Sequence, residues 1–289
     1  MEYIIHILII INIYIVLTVS ANLLVGLANL LSLGQAAFYG IGAYLTALAL
    51  MQFGLPLIPA LLFSMLITGL IAFLLGYISI KFEGDYFVLA TLGFQIIIYS
   101  ILYNWITVTK GPYGIPGIPA PKLLNSFKID SIYLFLILSS ILMGITVSIF
   151  YKLIHSPFGR VLKAMKDDKI ALISLGRNVT RLKIITFVLA ASFAALSGFL
   201  YATYISYIDP TSFNLDESIF IVSAVLIGGT GNLKGPILGA VFVVILPEIL
   251  RFVGLPDSIA ANLRMIIYGL SLVLLMLYRP QGIAGTNKI

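Results

Sequence analysis

K-L-I-H-S-P-F-G-R-V-L-K-A-M-K-D-D-K-I-A-L-I-S-L-G-R-N-V-T-R-L-K, from Lys152 to Lys183, is the one long polar island in an otherwise oil-like chain. Lys152, Arg160, Lys163, Lys166, Lys169, Arg177, Arg181 and Lys183 put about half of the 17 basic side chains into it. By the positive-inside rule that excess belongs in the cytoplasm. The island is also built. Ser156 can cap a helix whose first position is Pro157, where the missing N–H costs nothing. Asp167 and Asp168 offer a cap for a second short helix, Gly176 suits a left-handed C-terminal stop, and Thr180 can cap the apolar helix that follows. A slack loop between two membrane helices needs none of these residues.

The rest of the chain sets the class. Of 289 residues, 61% are hydrophobic and 10% charged, with a mean hydropathy of +1.11. A soluble domain of this length could not hide so much apolar surface. The expected fold is an all-α integral membrane protein, a single transmembrane domain over 1–289. The net charge of +6 speaks of membrane orientation and not of nucleic acid. No cysteine is present, which removes disulfides and thiolate chemistry. The start, M-E-Y-I-I-H-I-L-I-I, lacks the basic n-region and cleavage site of a signal peptide and reads as the first membrane helix.

A bilayer core of ~30 Å needs about 20 apolar residues per helix. Runs of that kind cover about Ile4–Leu31, a small-residue-rich segment after it, Leu57–Ile80, Tyr86–Val108, Ser131–Tyr151, Ile184–Ile205, Ile237–Phe252 and Ala260–Tyr278. Ile219–Gly229 is too short to span unless it extends into its neighbours. The total is about 8–10 membrane segments. Thr109–Asp130 is a long Gly/Pro-rich loop, and Asp209–Glu217 a polar connection. With the basic island inside, helix parity puts Lys81, Lys234, Arg279 and Lys288 inside too, about twelve basic residues against five outside. The C-terminus is then cytoplasmic, and the N-terminus and the 109–130 loop extracytoplasmic. G-L-A-N-L-L-S-L-G, followed by G-I-G-A, is similar to G-T-G-N-L-K-G, followed by L-G-A. An inverted repeat with broken helices would explain this, and so would the general use of small residues in helix packing.

Several stretches resemble the LivM-type permeases, membrane subunits of ATP-binding-cassette importers for branched-chain amino acids. They are Ser156–Lys183, Asn22–Tyr44, Tyr86–Gln95, Val108–Pro119, Val225–Ala240 and the closing R-P-Q-G. Together they cover most of the chain in the family's order. The resemblance implies that 152–183 is a cytoplasmic coupling loop docking on an ATPase, with Ser156, Gly159, Arg160, Lys163, Asp167, Asp168, Ala171 and Gly176 as its residues. The family's Glu-Ala-Ala pattern is only partly present. Ala171 matches one alanine, Ile170 and Leu172 hold the other two places, and the acidic group sits at Asp168. Lys110 and Pro112 likewise depart from the glycines usual in the 109–130 loop.

The further implications are a LivH-type partner permease, two cytoplasmic ATPase subunits that use ATP and Mg, an extracytoplasmic binding protein, and a prokaryotic plasma (inner) membrane. The solute would be leucine, isoleucine or valine, moved by alternating access. A urea or short-amide importer is the alternative within this class.

No catalytic constellation stands out, and no G-x-x-x-x-G-K-[ST] loop is present, so energy must come from a partner or an ion gradient. No cofactor or metal is expected on this chain, and no enzymatic activity. An ion-driven carrier is the reading from another class. It would need an intramembrane carboxylate, and none stands alone in a span.

Polar residues inside spans are costly and mark interior faces. Asn22, Gly26 and Asn29 fall at i, i+4 and i+7 and so share one face of the first helix, with Ser32 and Gln35 just beyond. Thr91 and Gln95 share a face of the fourth. They are candidates to line a path for a small zwitterion, or else ordinary interhelical hydrogen bonds at about 0.6 kcal/mol each. Glu248 and Arg251 read as a surface i, i+3 pair. Asp209, Asp216 and Glu217 read as an outer rim, either a solvated connection or a contact for an external binding protein. Arg160, Lys163, Lys166 and Lys169 would form a slanted stripe on a continuous helix, able to lie on anionic membrane lipid.

Overall fold

In a computed structural model describing residues 2–122, 129, 131–252, 263, 266–267, 269–270, 273–274, 277–278 and 282–284, the apolar runs are helices. In chain order they are α1 (Glu2–Asn22), α2 (Gln35–Met51), α3 (Leu57–Ser79), α4 (Asp85–Asn104), α5 (Ile106–Thr109), α6 (Ile132–His155), α7 (Pro157–Asp167), α8 (Lys169–Ser174), α9 (Val179–Ile205), α10 (Leu215–Gly228) and α11 (Lys234–Phe252). Two short strands, β1 (Ile115–Pro116) and β2 (Tyr207–Ile208), pair antiparallel at the end of the bundle away from α7. Among the described residues five helices are long and apolar enough to cross a membrane: α1 with its extension to Leu27, α3, α4, α6 and α9. The last expected segment, 260–278, falls mostly outside the described residues.

Small residues let the central helices touch backbone to backbone. A Cβ on Gly198 of α9 would lie 2.6 Å from the Ala43 nitrogen, and one on Gly42 of α2 would lie 2.6 Å from the Ala195 oxygen. Only glycine fits at these two positions. In lipid the hydrophobic effect does not drive helices together, so such close approach carries the packing. α2 and α3 both run along α9, and α1 is enclosed by α6, α9, α10 and α11. Polar pairs add to this. Asn12 donates to Ser139 Oγ at 3.1 Å and to Ser140 Oγ at 3.0 Å, joining α1 to α6, and Thr18 donates to the Pro236 carbonyl at 2.9 Å.

The first helix ends earlier than the sequence suggests. After Asn22 it widens into a π turn, Leu23–Leu27, with Ala28 N donating to Leu23 O at 3.2 Å. Asn29 then takes a left-handed conformation, φ 52°, and the helical run stops until Gln35. The loosened turn packs closely on a second break: a Cβ on Gly26 would lie 3.0 Å from the Gly231 nitrogen. That second break, 229–233, separates α10 from α11, and Gly229 and Gly231 hold φ of 102° and 93° there. Asn22 Nδ2 donates across the junction to the Asn232 carbonyl at 3.0 Å. The two glycine-rich stretches matched in the sequence are thus both helix breaks, and they meet.

Candidate functional site at the helix breaks

α4 begins at Asp85, beside the basic island, and rises 1.5 Å per residue. Thr91 and Gln95 therefore lie roughly 9 and 15 Å along it, the second near the middle of a ~30 Å core. Both are buried and turned toward the start of α2, as the shared face implied. Thr91 Oγ1 accepts from Leu33 N at 3.1 Å. Gln95 Oε1 accepts from Ala37 N at 2.6 Å and from Ser218 Oγ at 3.2 Å, and its amide donates to the Phe213 carbonyl at 2.8 Å. Ser218 Oγ also accepts from Ala36 N at 3.0 Å. One glutamine side chain thus joins the first turns of α2 and α10.

α10 starts deep in the bundle because the chain descends there after β2. Asp209 Oδ1 accepts from Ser212 N at 3.3 Å, and Asn214 caps α10 by accepting from Glu217 N at 3.0 Å. This corrects two expectations. The rim is not solvated throughout, since Phe213 is buried and Glu217 is partly buried with Tyr14 Oη donating to it at 2.7 Å, whereas Asp216 is exposed as expected. The short α10 needs no extension, because it begins near mid-depth.

Gln35, first residue of α2, is 1% exposed, and neither its amide oxygen nor its nitrogen has a hydrogen-bond partner among the described residues. Asn22 is also buried, its Nδ2 bonded to the second break while Oδ1 is without a partner. Asn29 is the correction among these candidates. It is exposed and off the helix, so it does not share a face with Asn22.

The basic island folds as two helices. Ser156 Oγ accepts from Gly159 N at 3.3 Å, capping α7 as expected. A Cβ on Gly159 would lie 2.5 Å from the Leu153 carbonyl, so α7 can turn this sharply off α6 only with glycine there. Asp168 Oδ1 accepts from Ile170 N at 2.9 Å and Ala171 N at 3.0 Å, starting α8, and Gly176 ends the turn at φ 76°. Arg160, Lys163, Asp167, Ala171 and Gly176 are exposed. Two expectations are corrected. Asn178 caps α9 by accepting from Arg181 N at 2.9 Å, and Thr180 lies inside the helix.

The basic stripe is not continuous either, because the chain restarts at Asp168. Lys166 turns inward and donates to the Gly26 carbonyl at 3.3 Å, and this burial lowers its pKa. Lys169 pairs with Glu83 on the α3–α4 turn, which holds that carboxyl below its usual range. Glu248 accepts from Tyr3 on α1, and its expected partner Arg251 has its side chain outside the described residues.

Sequence reasoning missed Tyr14 and Ser218, and placed Lys166 on an outward stripe. The signal for Ser218 was present in Asn214 and Glu217, an N-cap and its third residue opening a helix too short to span.

The chain matches the family described as branched-chain amino acid transport system / permease component over residues 3–276. It is similar to the high-affinity branched-chain amino acid transport system permease protein LivM of Salmonella typhimurium, 33% identical over 96% of this chain and 68% of the relative. The corresponding LivM of Escherichia coli is 32% identical over the same shares. The autoinducer 2 import system permease protein LsrC of Yersinia pseudotuberculosis is 26% identical over 85% of this chain and 69% of its own length. No solved structure matches.

Proposed function

Because this chain belongs to the branched-chain amino acid transport system permease family, we infer that it is a membrane-spanning permease subunit of a branched-chain amino-acid importer. Its polypeptide moves the solute and does not hydrolyse ATP. The energy comes from two partner ATPase subunits using ATP and Mg, which dock on α7 and α8 at the cytoplasmic face. A second permease of LivH type completes the membrane part, and an extracytoplasmic binding protein delivers leucine, isoleucine or valine to the end bearing β1 and β2.

The single observation that carries the mechanism is the chain of contacts from α7 to mid-depth. Lys166 of α7 holds the π turn of α1, Asn22 at that turn holds the α10–α11 break, and α10 begins at the Gln95 junction. Movement of α7 by an ATPase therefore pulls on the two breaks together. A π turn and glycines at positive φ can rearrange without unwinding a regular helix. The junction then switches which side of the bundle it opens to. The zwitterion passes along Gln35, Thr91 and Gln95, hydrogen-bonded and not tightly held.

The test is to purify the tagged chain from its native membrane in mild detergent and identify its companions by mass spectrometry. Stoichiometric recovery of P-loop ATPases and a second permease supports the reading. Recovery of the chain alone, intact and monodisperse, would sink it.

A further inference from the structure

The cavity between the α3–α4 turn, α8 and the start of α9 is charged in a way the transport mechanism does not use. Its volume is about 370 Å3. Four cations line it, Lys81, Lys169, Arg177 and Lys183, against the one carboxylate of Glu83. That carboxylate is already taken by Lys169. Lys183 is only 8% exposed and has no ion pair among the described residues. Glu83 attracts it at a distance, but that carboxylate is paired with Lys169, so Lys183 lacks a close partner and the cavity keeps an excess of positive charge. The start of α9, a helix of 27 residues, adds its own positive end.

A free anion would satisfy that charge, but the cavity does not stop there. Asn178 and Thr180 also line a second, apolar groove of about 530 Å3. It runs along α3 and α9 past Phe73, Ile184, Val188 and Leu189. Tyr77 and Tyr86 are exposed at this level, where interfacial aromatics sit, and Lys81 lies 5.4 Å over the Tyr77 ring. A basic cleft at headgroup depth, opening onto an apolar channel at acyl depth, has the shape and charge of one amphiphile.

We propose that this site holds an anionic glycerophospholipid, its phosphate among Lys81, Arg177 and Lys183 and one acyl chain along the α3–α9 groove. The bound lipid would brace α8 and α9 where the ATPase pulls, and offset the excess positive charge around Lys183.

Native mass spectrometry of the full chain tests this, with phosphatidylglycerol and phosphatidylcholine of identical acyl chains added in equal amounts. The expected result is preferential retention of phosphatidylglycerol, lowered about thirtyfold in R177Q/K183Q, in line with roughly fivefold per basic residue near the headgroups. K183R keeps the preference. V188W/L189W, which fills the groove and leaves every charge in place, also lowers retention. The exposed single variant R177Q shows a partial loss without touching a buried position. Three results would overturn the proposal. One is equal retention of the two lipids. Another is an equal loss in K152Q, a basic residue outside the cavity, which means generic surface charge. The third is displacement of the lipid by excess inorganic phosphate, which means a free-anion site.

Discussion

The Lys166 ammonium donates to the Gly26 carbonyl at 3.3 Å, so a helix of the basic island is fastened to a membrane helix at the place where that helix loosens. The carbonyl belongs to a π turn at a helix end, where acceptors lack intrahelical partners and a cation is favoured. Lys166→Met keeps the stem and removes the donor. The expected outcome is a loss of leucine transport of about tenfold, the scale of a charge-assisted hydrogen bond worth about 1.5 kcal/mol, with ATPase recovery unchanged. Lys166→Arg restores transport. Equal transport by the methionine variant would remove this contact from the mechanism.

Gln95 is the joint between α2 and α10. Gln95→Leu leaves the Ala37 N–H and the Phe213 carbonyl without their partners in a buried place. Each such orphan costs about 1–3 kcal/mol. A drop in thermal stability in detergent, read by a melting curve, should accompany the loss of uptake. Ser218→Ala removes the weaker contact and should cost less.

Gly42 and Gly198 face the backbone of the neighbouring helix, where nothing can give way. Gly42→Val and Gly198→Val should therefore insert in the membrane but fail to form the bundle, shown by protease sensitivity of the α2–α3 and α9–β2 connections. Gly144, which meets nothing within 4 Å, should accept valine without that effect.

Gly176 differs from both, since a Cβ there would also meet nothing within 4 Å. Its need for glycine is conformational only, at φ 76°. Gly176→Asn should be tolerated, since asparagine visits this region, whereas Gly176→Val should cost about 1–2 kcal/mol and weaken ATPase recovery. Matching recovery from the two variants would show that the left-handed stop is unnecessary for docking.

The Lys169–Glu83 pair fixes α8 to the α3–α4 turn, and the lysine holds the Glu83 carboxyl below its usual range. Its contribution is therefore fully present above the ordinary glutamate pKa of about 4.3. It is lost as pH falls through the lowered folded value. Protection of the α8 amides against hydrogen exchange, taken relative to the intrinsic rate at each pH, should fall in that acid window and with added salt, which screens exposed pairs. In Glu83→Gln that protection should be low at every pH.

The legible features were the ones written in neighbouring residues. Ser156, Asp168 and Gly176 each act within three residues of themselves, so their caps and the left-handed stop could be read directly. Thr180 and Asn178 lie two residues apart and both are capping types, and only the backbone decides between them. Asn29 was placed on the wrong surface because a helical wheel assumes an unbroken helix. Where this one breaks it packs against Gly231, some two hundred residues away. Lys166 was hidden by the same assumption, for its stripe exists only if α7 and α8 are one helix. The junction at Gln95 needed the descent of 209–214 into the bundle, which composition reads as a loop.

Uptake of labelled leucine by vesicles containing the chain with its copurifying subunits and binding protein separates an ATP-driven importer from a gradient-driven carrier. Uptake should require ATP inside the ATPase-facing compartment and survive collapse of ion gradients by ionophores. Uptake that continues without ATP and stops with the ionophore would contradict the importer reading and make this chain a gradient-driven carrier.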